Sequence, residues 1–138
     1  MPESKRPLHV FLCYAHLDKE AVHKLYTRLV DHGIHAWFDA EDLQPGQNWQ
    51  HEIRKAILKS HIVIVCLSKK FNEQHGYRHE ELKIALEKAR LIDDTIFIVP
   101  VRLEKCDMPE SLSHLHRVDL FKPGGYKKLI SALEKWKM

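Results

Sequence analysis

Two carboxylates stand side by side in the stretch "GYRHEELKIALEKA", residues 76–89, and what each can do depends on which way it faces. Leu82, Ala85, Leu86 and Ala89 follow the i, i+3, i+4, i+7 spacing of a core-facing helical stripe. At about 100° per residue, Glu80 falls opposite that stripe, where a solvated charge belongs. Glu81 falls at the stripe's edge, one turn after Tyr77 and on the same side. That edge is where the protein surface begins to close over, and it is where a functional carboxylate would sit.

The elements that would position Glu81 follow a regular alternation. "LHVFLCY" (8–14) is a short apolar run bounded by Pro7 and polar residues, and it predicts a strand. A helix is expected from an N-cap at Asp18 to a C′ residue at Gly33, with Val22, Leu25, Tyr26 and Leu29 buried. "IHAWF" (34–38) reads as a second strand, with Trp37 and Phe38 in the core, and "DAEDLQPGQN" (39–48) as a loop turning at Pro45-Gly46. Trp49 to Ser60 is expected to be helical, facing Ile53, Ala56 and Ile57 inward. "IVIVCL" (62–67) is apolar throughout, the mark of a strand buried on both faces of a parallel sheet. The loop "SKKFNEQHG" then leads to the helix that carries Glu81. "IFIVPV" (96–101) gives a fourth strand, placed near a sheet edge by Pro100. "RVDLF" (117–121) gives a short fifth strand, and a last helix starts at Gly125 with Tyr126, Leu129, Ile130 and Leu133 on one face.

Strands alternating with helices predict an α/β fold, a doubly wound parallel sheet. Five strands suit the flavodoxin-like order 2-1-3-4-5 with helices on both faces, and ligands on such sheets bind beyond the carboxyl ends of the strands where the order reverses. That point lies between the first and third strands. Glu81 belongs to the helix leaving the loop after the third strand, so helix-face geometry and sheet topology converge on one crevice.

Four ordered motifs resemble one family. "VFLCYAHLDKEAV" is similar to the opening strand and helix of Toll/interleukin-1 receptor (TIR) domains, especially the bacterial branch. "AWFDAEDLQPGQNW" resembles the family's second strand and long BB loop, and "HIVIVCLSKKF" its central strand, ending in a serine. "GYRHEELKIAL" matches the aromatic followed four residues later by glutamate that is seen in NAD-cleaving TIR domains. The resemblance runs from about residue 8 to the C-terminus, so the chain reads as a flexible start (1–7) and a single TIR domain (8–138). It implies that Glu81 is the catalytic glutamate and that Tyr77 takes the place of an aromatic that is tryptophan in many members. The loop after the first strand, Tyr14, Ala15 and His16, would lie against substrate, His16 as a phosphate contact, with Ser68 bordering the site. Asp39, Leu43 and Gly46 match the region that closes over the nucleotide. Gln44, Pro45, Gly46 and Trp49 belong to the loop through which neighbouring subunits would assemble, as filaments or otherwise.

The resemblance therefore implies an NAD+ glycohydrolase or cyclase, NAD+ being its substrate with no cofactor, in bacterial immune or cell-death signalling such as antiphage defence. The alternative is a non-enzymatic TIR scaffold acting by TIR–TIR contact. A deoxyribosyltransferase-type enzyme shares the sheet and the glutamate but not the long BB-like loop. A receiver domain is excluded by the missing acidic pair in the first strand and the missing acceptor aspartate after the third. The bulk composition agrees with a globular domain: 138 residues, 44% hydrophobic and 30% charged. A net charge of +3, spread along the chain, argues against nucleic acid as a partner. No apolar run approaches the roughly 18 residues of a membrane span, and no signal peptide is evident, so no membrane is expected. Three cysteines without metal spacing point to a reducing compartment, the cytoplasm, and the eleven scattered histidines complete no metal-ligand set.

Overall fold

The computed structural model describes residues 8–38, 49–73, 83, 87 and 98–137, apart from the side chains at 16, 49, 50, 53, 136 and 137. Its centre is β3, Ile62–Leu67, whose six residues are all buried. β1 (His9–Cys13) runs parallel on one side of it, with Val10 opposite Ile62 and Cys13 opposite Val65. β2 (His35–Trp37) lies beyond β1. On the other side come β4 (Ile98–Arg102) and then β5 (Val118–Asp119), again parallel. The order is β2-β1-β3-β4-β5, the doubly wound arrangement the alternation predicts.

Side chains alternate across a strand, and the core divides accordingly. Val10, Leu12, Tyr14, Ile62, Ile64 and Cys66 form one face, covered by Val22, Leu25 and Leu29 of α1 (Lys19–Asp31) and Leu129 and Leu133 of α4 (Gly125–Lys137). Phe11, Cys13, Val63, Val65 and Leu67 form the other, covered by Ile57 of α2 (Trp49–Lys59) and Phe71 of α3 (Lys69–Glu73). Each such aliphatic or aromatic side chain contributes about 1.5–3 kcal/mol by leaving water. Trp37 stacks on Phe11 with centroids 5.1 Å apart, and Phe38 is fully buried, so both serve the core. Ile53 lies outside the described side chains.

α1 ends as its sequence requires. Gly33 takes φ 75°, its N–H donates to the Val30 carbonyl at 2.9 Å, and the Ile34 N–H reaches back to the Leu29 carbonyl at 3.0 Å. This is a Schellman closure. α1 starts where expected, with Asp18 at the N-cap position, but the Asp18 side chain makes no cap bond and the residue closes a 3-10 turn, His16–Asp18. Part of the expected loop 68–76 is also helical, since Lys69–Glu73 forms α3. The Ser68 hydroxyl accepts from the Phe71 N–H at 3.0 Å, and Phe71 is buried, so one cap and one anchor hold a turn too short to show a periodicity.

β4 is one strand in from the edge. Leu103 donates to Leu67 of β3, whereas the Arg102 carbonyl accepts from Leu120 beyond β5. By alternation the Pro100 nitrogen faces the β5 side, and β5 begins only opposite Val101. The proline therefore removes no ladder bond. No helix among the described residues is long and apolar enough to cross a membrane.

Candidate functional site

The carboxyl ends of β1 and β3 are adjacent, and a polar connection joins the segments that leave them. After β1 the chain runs through Tyr14 and Ala15, both buried, into the 3-10 turn, where the Asp18 N–H donates to the Ala15 carbonyl at 2.8 Å. After β3 comes Ser68, 1% exposed. Its hydroxyl donates to the Asp18 carboxylate Oδ2, fifty positions away, while accepting from the Phe71 N–H. A buried hydroxyl needs both roles filled, and Asp18 fills one of them. The carboxylate that sequence pattern assigns to capping α1 thus spans the switch point of the sheet.

The surroundings are braced on the β4 side. Lys69 N–H donates to Glu104 Oε2 at 2.9 Å, and Asn72 Nδ2 to the Asp107 carbonyl at 2.9 Å, so the segment after β4 holds α3 at both ends. An open groove of about 570 Å³ lies between them, lined by Lys69, Asn72, Lys105 and Cys106 among others. That segment is itself fixed by Arg102, which forms a bidentate pair with Asp119 at 2.7 and 2.9 Å and donates to the Cys106 carbonyl at 2.8 Å.

Two of the cysteines are held in the thiol form. Burial, and secondarily the Asp18 charge, push the Cys66 thiol far above the ordinary thiol range. Burial also raises Cys106. Among the described residues no three His, Cys, Asp or Glu side chains are placed to hold a metal ion.

Of the residues singled out by sequence, the structure brings Tyr14, Ala15 and Ser68 to the end of the sheet where the order reverses. The Tyr14 ring packs on Phe38 at 5.2 Å and, like Ser68, is buried, so both belong to the core at that end of the sheet. Glu81, Tyr77, Asp39, Leu43, Gln44, Pro45 and Gly46 lie outside the described residues, as do the side chains of His16 and Trp49. Lys83 and Glu87 are helical and exposed, which suits the polar side of the helix expected there. What sequence reasoning missed is the hydrogen bond between Asp18 and Ser68, a pairing fifty positions apart that no local pattern carries.

The profile described as TIR domain matches residues 10–133. The chain belongs to the TIR family. Over 72 residues, 51% of this chain and 22% of the other, it is 41% identical to the NAD(+) hydrolase TcpA of a Theionarchaea archaeon. Over 124 residues, 88% of this chain and 19% of the other, it is 27% identical to the uncharacterized protein y4cD of Sinorhizobium fredii. The TIR domain of the Toll-related receptor TRR-2 from Hydra magnipapillata matches with a TM-score of 0.75 at 25% identity, covering 91% of this chain and 97% of that one. The chain spans about a fifth of the length of the curated relatives it matches.

Proposed function

We propose that this TIR domain cleaves NAD+ between nicotinamide and ribose, with Glu81 as its catalytic carboxylate, and that it does so when copies of the domain assemble. The observation that carries this reading is the 41% identity, over half of the chain, to a protein named an NAD(+) hydrolase. The reaction is glycoside cleavage with an unusual leaving group. Glycosidases use two carboxylates, one of which protonates the departing oxygen. Nicotinamide departs from a pyridinium as a neutral molecule and needs no proton, so one carboxylate suffices. Glu81 would hydrogen-bond the ribose hydroxyls and stabilise the oxocarbenium-like charge as the bond breaks. Whether water or an internal nucleophile then captures the ribosyl cation decides between ADP-ribose and a cyclised product. A nucleotide-consuming domain of this kind suits bacterial immune or cell-death signalling.

The test is to incubate concentrated protein, free and clustered on beads, with NAD+ and to follow free nicotinamide. Release that depends on Glu81 supports the reading. No release in either format would leave the domain as a scaffold acting by TIR–TIR contact.

A further inference from the structure

Charge is unevenly matched at the outer edge of the sheet. An open groove of about 420 Å³ lies between β5 and the start of α4, and among the described residues Asp119 is the one acidic side chain that lines it. The Asp119 charge is already matched from below. The buried Arg102 guanidinium donates to both of its oxygens, at 2.7 and 2.9 Å. Arg117 and Lys122, which line the groove, crowd onto the same two oxygens at 3.2 and 3.4 Å. Lys128 lines the groove as well and has no hydrogen-bonding or ionic partner among the described residues. The positive charges of Arg117, Lys122 and Lys128 therefore meet no acidic residue of their own there.

A cleft lined by one sign of charge focuses the field and concentrates counter-ions. Arginine and lysine donate and do not accept, so the complementary group is an anion with several acceptor oxygens. A phosphate ester offers about three such oxygens and a charge of roughly −2 at neutral pH, where a carboxylate brings a single charge. Asp119 already holds two of the three cations, which lowers the ordering cost of binding. The wall from Pro123 to Gly125 carries no polar side chain to compete for them.

We propose that the groove between β5 and α4 is a phosphate-binding site, receiving a phosphate or pyrophosphate group, free or borne on a larger molecule, on Arg117, Lys122 and Lys128. β4 separates β5 from β3, so the site is distinct from the β1–β3 reversal and does not rest on the NAD+ reading.

The experiment is titration of the whole chain with inorganic pyrophosphate at constant ionic strength, followed by calorimetry and by amide chemical shifts. The shifts should concentrate at residues 116–128. An exposed charge contact corresponds to about a 2- to 5-fold change in affinity. Lys122→Gln and Lys128→Gln should each weaken pyrophosphate by that factor, and the double variant by more than either. Lys24→Gln, on α1, removes the same net charge and should bind as wild type does. All three lysines are exposed, so the variants should fold, which thermal unfolding checks. Phosphatidylcholine vesicles with and without phosphatidic acid tell the carriers apart. Cosedimentation that depends on Lys122 and Lys128 identifies a lipid headgroup; pyrophosphate binding without it identifies a soluble phosphate. No binding at millimolar pyrophosphate, or binding undiminished in the double variant, would overturn the proposal. So would an equal loss in Lys24→Gln, because net charge alone would then account for the affinity.

Discussion

Replacing Asp119 by Asn tests whether the ion pair at the ends of β4 and β5 holds the frame on which α3 rests. The Arg102 and Asp119 side chains are only 10% and 12% exposed and share two short hydrogen bonds. Asparagine keeps the shape but removes the charge and turns one acceptor into a donor facing the guanidinium. Breaking a buried pair by removing one partner costs about 3–5 kcal/mol. The remaining exposure and the Cys106 carbonyl that Arg102 retains reduce this to about 2–4 kcal/mol. For a chain of this size that is a fall in Tm of about 10 °C. Arg102→Met should cost less. Asp119 would keep Arg117 at 3.2 Å and Lys122 at 3.4 Å, surface partners 43% and 62% exposed, and the methionine preserves apolar volume.

The sign of the pH dependence follows from the same contact. The Arg102 hydrogen bonds hold the Asp119 carboxyl well below the usual carboxylate range. A depressed folded pKa contributes stability that is complete above the unfolded value of about 3.9 and is lost as pH falls below it. Denaturant unfolding of wild type and Asp119→Asn should therefore differ by a constant amount from pH 7 to pH 5, and the difference should shrink below about pH 4. A loss under 1 kcal/mol at pH 7, or a gap independent of pH down to the acid limit, would refute the reasoning.

Gly125→Ala should destabilise by more than about 2 kcal/mol in thermal or denaturant unfolding. An added Cβ would lie 2.2 Å from the Asp119 carbonyl oxygen and 2.9 Å from Leu120 Cα, both backbone atoms that cannot yield cheaply. Near-wild-type stability would mean that the β5–α4 approach is slack. More than ten residues separate β2 from α2, where roughly 2–6 are usual in a βα connection, and the Pro45-Gly46 turn signal of that segment carries little side chain with which to hold a ligand alone. Specific NAD+-cleaving activity should rise with protein concentration, and Gly46→Arg or Pro45→His should block that rise while lowering Tm by no more than a few degrees. Flat specific activity from nanomolar to high micromolar protein would contradict assembly.

The sheet was legible because its strands carry their own signal. Six consecutive apolar residues at Ile62–Leu67 are too few for a helix and too many for a one-sided strand. The alternation of such runs with helical stripes left few topologies. The stop of α1 was legible because Gly33 is the residue type its conformation demands. What escaped was set by tertiary contact. Lys69–Glu73 is five residues, mostly polar, and is helical because Ser68 caps it and Phe71 is buried beneath it. Asp18 has the residue type and position of an N-cap, and a partner fifty positions away redirects it. On the site, geometry and resemblance have different reach. The reversal between β1 and β3 follows from element order alone, whereas the role proposed for Glu81 rests on the family motif and the helical wheel drawn from the sequence.

The central claim is that one carboxylate of the pair at 80 and 81 performs the cleavage. The most direct measurement is the rate of nicotinamide release from NAD+ by clustered wild type, Glu81→Gln and Glu80→Gln, with folding checked by circular dichroism. Loss of an electrostatic contact made in the transition state predicts a fall of about 10²–10⁴ for Glu81→Gln. Glu80→Gln, which the sequence's helical wheel puts opposite the apolar stripe, should stay within a few-fold of wild type. Equal losses from the two substitutions, or full activity in a folded Glu81→Gln, would contradict the account.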